Sequence, residues 1–337
     1  MSAVPPHIIG GSRVGLADLY PPLDDLLARA EDRTPRVWEE VGFLAGVARD
    51  VLSGKGKRLR PMLLLLSAEC AGGATESSIA MAGIVEIVHA ASLIHDDVID
   101  NSPSRRGRRS AKAVWGNRIS VLLGDYLIAR AFSLLPPDDS SGAMAELSRV
   151  AARMCEGQAR EVQATGRRLG EAEYVEIIRA KTASLFGYCC RVGAATAGGP
   201  EELADSLERF GEGFGMAFQV ADDILDLVGS NGESGKSEGR DLAEGKWTLP
   251  LIRAWQQGEE ATRAGLEELV RAGHGSRDEV ELVKGIARAT GAVDYAWGRV
   301  WEWLARAREH LALAPESEAK QALLALARER FPLPVVT

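Results

Sequence analysis

Apolar side chains recur along most of the chain three and four residues apart, and short Gly, Pro and Ser breaks separate the runs. This spacing predicts helices over roughly 15–30, 36–53, 61–71, 76–100, 117–135, 142–166, 171–198, 201–228, 240–257, 260–272, 277–290, 292–313 and 316–330. Pro61 and Pro200 stand where proline is tolerated, at or just before a helix start. No run of strand-like alternation with hairpin turns stands out, so the expected class is all-α. No linker is long or biased enough to divide the chain. The expected organisation is therefore one helical domain over 15–337, after a loose lead at 1–14. The stretch Gly229 to Gly239, rich in Gly and Ser, reads as a mobile loop.

Two of the helical segments are apolar on nearly every side, Ile79 to Val98 and Phe210 to Val228. A helix with no polar face belongs in the middle of a bundle. Each ends in carboxylates, and that needs an explanation. The first carries Asp96-Asp97-Val98-Ile99-Asp100, the second Asp222-Asp223-Ile224-Leu225-Asp226. In this D-D-x-x-D spacing, Asp96 and Asp100 share a helix face, as do Asp222 and Asp226. Carboxylates this close repel one another and resist burial. A hard cation removes both costs, and magnesium, which takes oxygen ligands and shares its shell with substrate phosphates, is the natural one. A single such triplet reads more simply as a solvated helix end. Two copies, each closing a buried helix, shift the balance to metal. Neither has the glycine-turned loop of an EF-hand calcium site.

Composition narrows the ligand. The 337 residues are 46% hydrophobic, ample for a large core, and the formal net charge is -8. That balance argues against nucleic acid or an anionic membrane as partner. Two basic clusters stand out against it, Lys55-Gly56-Lys57-Arg58-Leu59-Arg60 and Arg105-Arg106-Gly107-Arg108-Arg109. Local basic clusters in an acidic protein suit a small anionic ligand. The first precedes a helix start and offers charge and backbone N–H groups to a phosphate, although its spacing is not that of a Walker A loop. Arg105 and Arg106 follow Asp100 closely enough to meet the same diphosphate as the metal. His89, seven residues before Asp96, shares its helix face, whereas His95 points elsewhere. Lys181-Thr182 interrupts an apolar pattern, and a buried lysine needs an anion. Lys236 and Lys246 flank Asp241 beyond the glycine-rich loop, as ordinary surface lysines or as clamps on a diphosphate.

The four cysteines, Cys70, Cys155, Cys189 and Cys190, form no C-x-x-C pair and read as reduced thiols of a cytoplasmic protein. The first residues lack the basic and apolar regions of a signal peptide. The longest apolar run, 79–94, is interrupted by Glu86 and His89 and is too short to span a bilayer. The expectation is a soluble protein with no stable membrane insertion.

Taken in order from about Gly54 to Pro250, these elements resemble the trans-polyprenyl diphosphate synthases, the head-to-tail isoprenyl diphosphate synthases. The resemblance rests on Gly56 to Pro61, Glu86 to His89, His95 to Asp100, Arg105-Arg106-Gly107, Gly124-Asp125, Lys181-Thr182-Ala183, Phe218-Gln219 with Asp222 to Asp226, and Gly245 to Pro250. It implies a large single-domain, isoprenoid synthase-like helical bundle with a deep central cavity, usually a homodimer. It also implies a magnesium-dependent transferase that condenses isopentenyl diphosphate with an allylic diphosphate. Carried over by position, Asp96, Asp100 and Asp222 hold magnesium, and Asp97, Asp223 and Asp226 support them. Arg105, Lys181, Lys236 and Lys246 bind the allylic diphosphate. Lys57, Arg60, His89 and Arg106 bind isopentenyl diphosphate. Thr182 and Gln219 direct oxygen dipoles at the allylic cation.

Three positions depart from the family pattern: Lys55 and Trp247 replace smaller residues, and Arg109 stands where proline is usual. They bear on loop detail, not on the proposed ligands. Product length is read from Ala91 and Ser92, about one helical turn before the first acidic segment, where bulky aromatics would stop the chain early. Their small size implies a C30 or longer product, with Phe132 either a cavity floor or ordinary core. A short-chain farnesyl or geranylgeranyl diphosphate synthase is the alternative. A terpene cyclase or a head-to-head condensing enzyme has no use for the isopentenyl diphosphate residues. A non-catalytic subunit of a heteromeric synthase would be expected to have lost some of the six aspartates.

Overall fold

The structure, a computed structural model, describes residues 20–33, 42–52, 58–105, 107–134, 142–229, 239–273, 275–329 and 331. The expected lead at 1–14, most of the glycine-rich loop, and Lys57, Arg106 and Lys236 lie outside these residues. In chain order the helices are α1 (Pro22–Glu31), α2 (Phe43–Leu52), α3 (Leu59–Cys70), α4 (Glu76–Ile99), α5 (Ala111–Ser133), α6 (Ala143–Ala164), α7 (Glu171–Ile178), α8 (Ser184–Thr196) and α9 (Glu201–Val228). They continue as α10 (Arg240–Ala243), α11 (Leu249–Gln257), α12 (Glu260–Ala272), α13 (Arg277–Ala289), α14 (Ala292–Glu309) and α15 (Glu318–Glu329). A π-helical turn, Arg179–Ala183, joins α7 to α8, and a 3-10 turn, His310–Leu313, follows α14.

The expected all-α class holds, with one addition. Ser104–Arg105 and Arg108–Arg109 form a two-residue antiparallel ribbon, pairing Ser104 with Arg109 and Arg105 with Arg108. Strands this short leave no period in a sequence. Three expected helices also change. The 171–198 segment is broken by the π turn, and the 240–257 segment splits into α10 and α11. The 117–135 helix begins earlier, at Ala111, across a kink at Gly116 (φ 78°).

The two segments expected at the centre are there. On α4, Ile79, Ala82, Ile84 and Val85 are fully buried, and on α9, Phe210, Phe214, Met216 and Ala217 are. Helix α8 is buried as completely and packs between α3 and α9; its Phe186 ring lies 5.6 Å from Phe214 and 5.5 Å from Phe218. Helix α4 starts at a capping box in which the Thr75 hydroxyl accepts from the Ser78 N–H and the Ser78 side chain accepts from the Thr75 N–H. The apolar run that looked too short to span a bilayer belongs to a helix of 24 residues, long and apolar enough by length and composition to do so. Yet 67% of its most apolar window is buried inside the protein, the signature of a core helix.

Candidate active site

Helix α4 ends at the first acidic segment. The Asp100 N–H donates to the Asp96 carbonyl at 2.8 Å, and the Ser102 N–H donates to the Asp97 carbonyl at 2.9 Å. Asn101 then takes a left-handed φ of 53°, a conformation asparagine tolerates, and turns the chain into the ribbon. That turn brings Arg105 back over the helix end. Its Nε and Nη2 both donate to Asp97 Oδ1, at 2.9 and 2.6 Å. Asp97 is buried (3% exposed), so this pairing is what lets the carboxylate be buried at all.

Asp96 and Asp100 share the other side of α4 and face cations from distant elements. Lys246, in the chain between α10 and α11, reaches Asp100 Oδ2 at 3.3 Å. Burial pushes the Asp96 carboxyl above the ordinary carboxylate range, partly offset by Lys181 and reinforced by Asp100 and Glu161. Asp100 is raised the same way, by burial first, with Lys246 opposing.

Sequence reasoning did not single out Glu161, which sits at the middle of this charge cluster. Its Oε2 accepts from Lys181 Nζ at 2.6 Å and lies 3.3 Å from Lys246 Nζ. Burial alone would raise its carboxyl, but the two lysines overturn that and hold it below the ordinary range. Lys246 also pairs with Glu244 Oε2 at 2.7 Å, and Glu161, Glu244 and Asp100 together keep its ammonium protonated despite burial. The field of Glu161 acts on Asp96 and Asp100 on one side and on Asp223 on the other. It therefore links the two acidic segments.

The second segment has its own support. Asp223 is buried; Tyr174 Oη donates to its Oδ2 at 2.6 Å and Gln219 Nε2 to its Oδ1 at 2.7 Å. Thr182 Oγ1 donates to Gln219 Oε1 at 2.8 Å, which fixes the amide's orientation. Burial pushes the Asp223 carboxyl up to about 7, against the hydrogen bonds from Tyr174 and Gln219. Asp226 Oδ2 accepts the Asp241 N–H at 3.0 Å, and its carbonyl accepts the Gly239 N–H at 2.9 Å. These bonds tie the far end of the glycine-rich loop back to α9. The Asp241 carboxyl is raised, first by burial and then by Asp226 and Asp223. Asp222 is half-buried on α9.

Lys181 and Thr182 sit on the π turn, a wider coil that recurs at functional sites. Two glycines let neighbouring helices close on it. A Cβ at Gly157 of α6 would lie 2.6 Å from the Lys181 nitrogen, and one at Gly215 of α9 would lie 2.7 Å from the Ala183 Cα. Larger residues at either place would push the turn away.

Arg60 and His89 meet, with Arg60 Nη1 2.9 Å from His89 Nε2. A guanidinium only donates, so His89 accepts through Nε2 and carries its proton on Nδ1. The Arg60 guanidinium also lies 4.4 Å from the centre of the Phe186 ring. His95 turns toward α5, its Nε2 3.1 Å from the Val121 carbonyl and 3.5 Å from Asp125.

The chain-length positions differ in burial. Ala91 is fully buried, whereas Ser92 is half-buried. Helix geometry gives the reason. Four residues before Asp96, Ser92 stays within about 40° of its face; five before, Ala91 has rotated about 140° away, into the packing. Phe132 is 50% exposed, on the side of α5 that also carries Val114, Val121 and Leu122, so it is not core.

Among the described residues, no three acidic or histidine side chains close on one point as a preformed metal cage. The donor set still suits a hard divalent cation: carboxylate oxygens from α4 and α9, with lysines beside them for an anion that would complete the shell.

Comparison with known proteins now bears on these residues. The profile of the polyprenyl synthetase family matches residues 42–286. The all-trans-nonaprenyl-diphosphate synthase (geranyl-diphosphate specific) of Rhodobacter capsulatus is 38% identical over 314 residues, 92% of this chain and 95% of its own. A geranylgeranyl pyrophosphate synthase of Geoglobus acetivorans is 37% identical over 297 residues, 86% of this chain and 90% of its own. The crystal structure of a polyprenyl synthase from Caulobacter crescentus, complexed with calcium and isoprenyl diphosphate, superposes with a TM-score of 0.88 at 31% identity. It covers 93% of this chain and 96% of that one.

Proposed function

The chain belongs to the polyprenyl synthetase family, and from that premise, as a transferase that builds polyprenyl diphosphates, we propose that it joins isopentenyl diphosphate head-to-tail to an allylic diphosphate with magnesium as its metal. The observation that carries this reading is the Lys181–Glu161–Lys246 cluster set against Asp96 and Asp100. It brings anion-binding cations and cation-binding carboxylates to one place.

Asp96, Asp100 and Asp222 would hold the metal. Bound there, magnesium would supply positive charge against the departing diphosphate. Lys181 and Lys246, with Arg105 and Lys236, bind the allylic diphosphate and favour opening of its C–O bond. Thr182 and Gln219 turn oxygen dipoles toward the allylic cation. Arg60 and His89, with Lys57 and Arg106, hold isopentenyl diphosphate so that its double bond meets that cation. The proton lost afterwards passes to the released pyrophosphate. Asp97, Asp223 and Asp226 position the others through Arg105, Tyr174, Gln219 and the Asp241 backbone.

The relative named for a C45 product matches more of this chain than the one named for a C20 product (38% identity over 92% of it against 37% over 86%), which supports a long product, and on this chain its length rests on Ser92. A small side chain on the Asp96 face leaves room for a chain of C30 or longer. The chain acts as one helical domain, in the cytoplasm. The exposed row Val114, Val121, Leu122 and Phe132 on α5 supports a homodimer through that helix. Pyrophosphate release tests the reading. It should need farnesyl diphosphate and isopentenyl diphosphate together and should stop when the metal is chelated. Release from farnesyl diphosphate alone would point to a cyclase instead.

A further inference from the structure

Behind the chain segment that presents Lys246 lies a cleft of about 370 Å³, lined by Gly166, Arg167, Arg168, Trp247, Glu267 and Arg271. Its walls are braced. Arg168 stacks 4.1 Å from the centre of the Trp255 ring, with its Nε 3.8 Å from Glu267. Glu267 in turn accepts from Trp255 Nε1 at 2.9 Å. Arg167 is paired with Glu173 at 2.5 Å. The Gly166 N–H donates to the Gly245 carbonyl at 2.8 Å, which fixes the cleft to the residue before Lys246.

Two donors remain. Trp247 is 3% exposed, and its Nε1 has no hydrogen-bond partner among the described residues. Arg271, exposed at the rim, makes no ion pair among the described residues. A buried indole N–H without an acceptor is costly, and an indole can only donate. Arg271 and an orphan N–H at one cleft, beside two arginines already met by Glu173 and Glu267, suit an oxygen-rich anion. The volume falls at the small end of ligand pockets, too large for a bare ion and sufficient for a phosphorylated small molecule.

We propose that this cleft is a second anion site, separate from the acidic cluster, which takes the phosphate group of a small soluble molecule on Trp247 Nε1 and Arg271. Trp247 follows Lys246 directly in the chain, so an occupied cleft braces the lysine from behind. Binding here does not depend on the proposed reaction.

The test uses the full chain labelled with ¹⁵N, titrated with inorganic phosphate and, separately, with glycerol 3-phosphate, and read at the tryptophan indole N–H signals. Trp247→Phe identifies its signal by loss. The Trp247 signal should move saturably with either probe. Arg271→Ala, a surface change that keeps the fold, should weaken that response roughly tenfold or more, the usual worth of a charged hydrogen bond. In Lys246→Ala the response should persist, which separates it from binding at the acidic cluster. Tighter binding of glycerol 3-phosphate than of phosphate supports a ligand larger than the ion, and equal binding supports recognition of phosphate alone. A Trp247 signal that stays still up to tens of millimolar, that moves undiminished in Arg271→Ala, or that stops moving in Lys246→Ala overturns the proposal.

Discussion

Lys181 Nζ lies 2.6 Å from Glu161 Oε2, and the same carboxylate is 3.3 Å from Lys246 Nζ. Two half-buried cations from separate elements are thus held by one anion, at the proposed place of the allylic diphosphate. Glu161 keeps the lysines together and charged when no diphosphate is present. Replacement by Gln leaves two ammonium groups repelling each other in a partly buried site. Glu161→Gln should lower kcat about 10–100-fold, the usual cost of losing a supporting partner. Glu161→Asp should recover part of it. Steady-state rates against both substrates give the answer, and unchanged rates in the Gln variant would remove Glu161 from the account.

Gly157 sets the distance between α6 and the π turn, since a Cβ there would lie 2.6 Å from the Lys181 nitrogen. Gly157→Ala should cost about 1–3 kcal/mol of stability through overpacking. It should also reduce activity at temperatures where the variant remains folded, because Lys181 moves with the turn. Thermal unfolding and activity measured on the same preparation distinguish this from simple destabilisation. Full specific activity in the folded variant would show that the placement of the turn does not matter.

Tyr174 donates to the buried carboxylate of Asp223 at 2.6 Å. Tyr174→Phe leaves one side of that carboxylate without its donor and should destabilise the fold by about 1–3 kcal/mol. Chemical denaturation reads the loss directly. A midpoint equal to that of the parent would mean that Asp223 finds another donor.

Arg60 and His89 are assigned to isopentenyl diphosphate. Arg60→Ala should raise the KM for isopentenyl diphosphate by roughly one to two orders of magnitude, the worth of charged hydrogen bonds. The KM for the allylic substrate should change little. The reverse pattern in initial-rate data would exchange the two diphosphate sites.

Ser92 and Ala91 separate wall from packing. Ser92→Phe should shorten the product and leave the rate of the first condensation within a few fold. Ala91→Phe should mainly destabilise the protein, because that position is fully buried. Product sizing of both variants decides between these roles, and a shorter product from Ala91→Phe alone would reverse the assignment.

The helices and the acidic segments were legible because their signals are local. Helix α9 occupies Glu201–Val228, the range its apolar period predicts. Lys181-Thr182 was visible as an interruption, although a sequence does not say that the interruption is a π turn. Glu161 was hidden by its setting. It lies on α6 among Glu156, Arg160 and other polar residues, where one more charge looks like a solvated face. Only the approach of α6 to the π turn, through Gly157, buries it. Tyr174 was hidden for the same reason, since its partner Asp223 comes from another element. The burial of Ala91 and the exposure of Phe132 were not legible, because spacing along one helix does not reveal which neighbours cover each side.

Sizing the products made from labelled isopentenyl diphosphate and farnesyl diphosphate with magnesium tests the synthase reading and its chain length together. The expected result is a ladder of dephosphorylated alcohols ending at C30 or above. A ladder ending at C15 or C20 would contradict the open wall at Ser92, and no elongation at all would contradict the synthase reading itself.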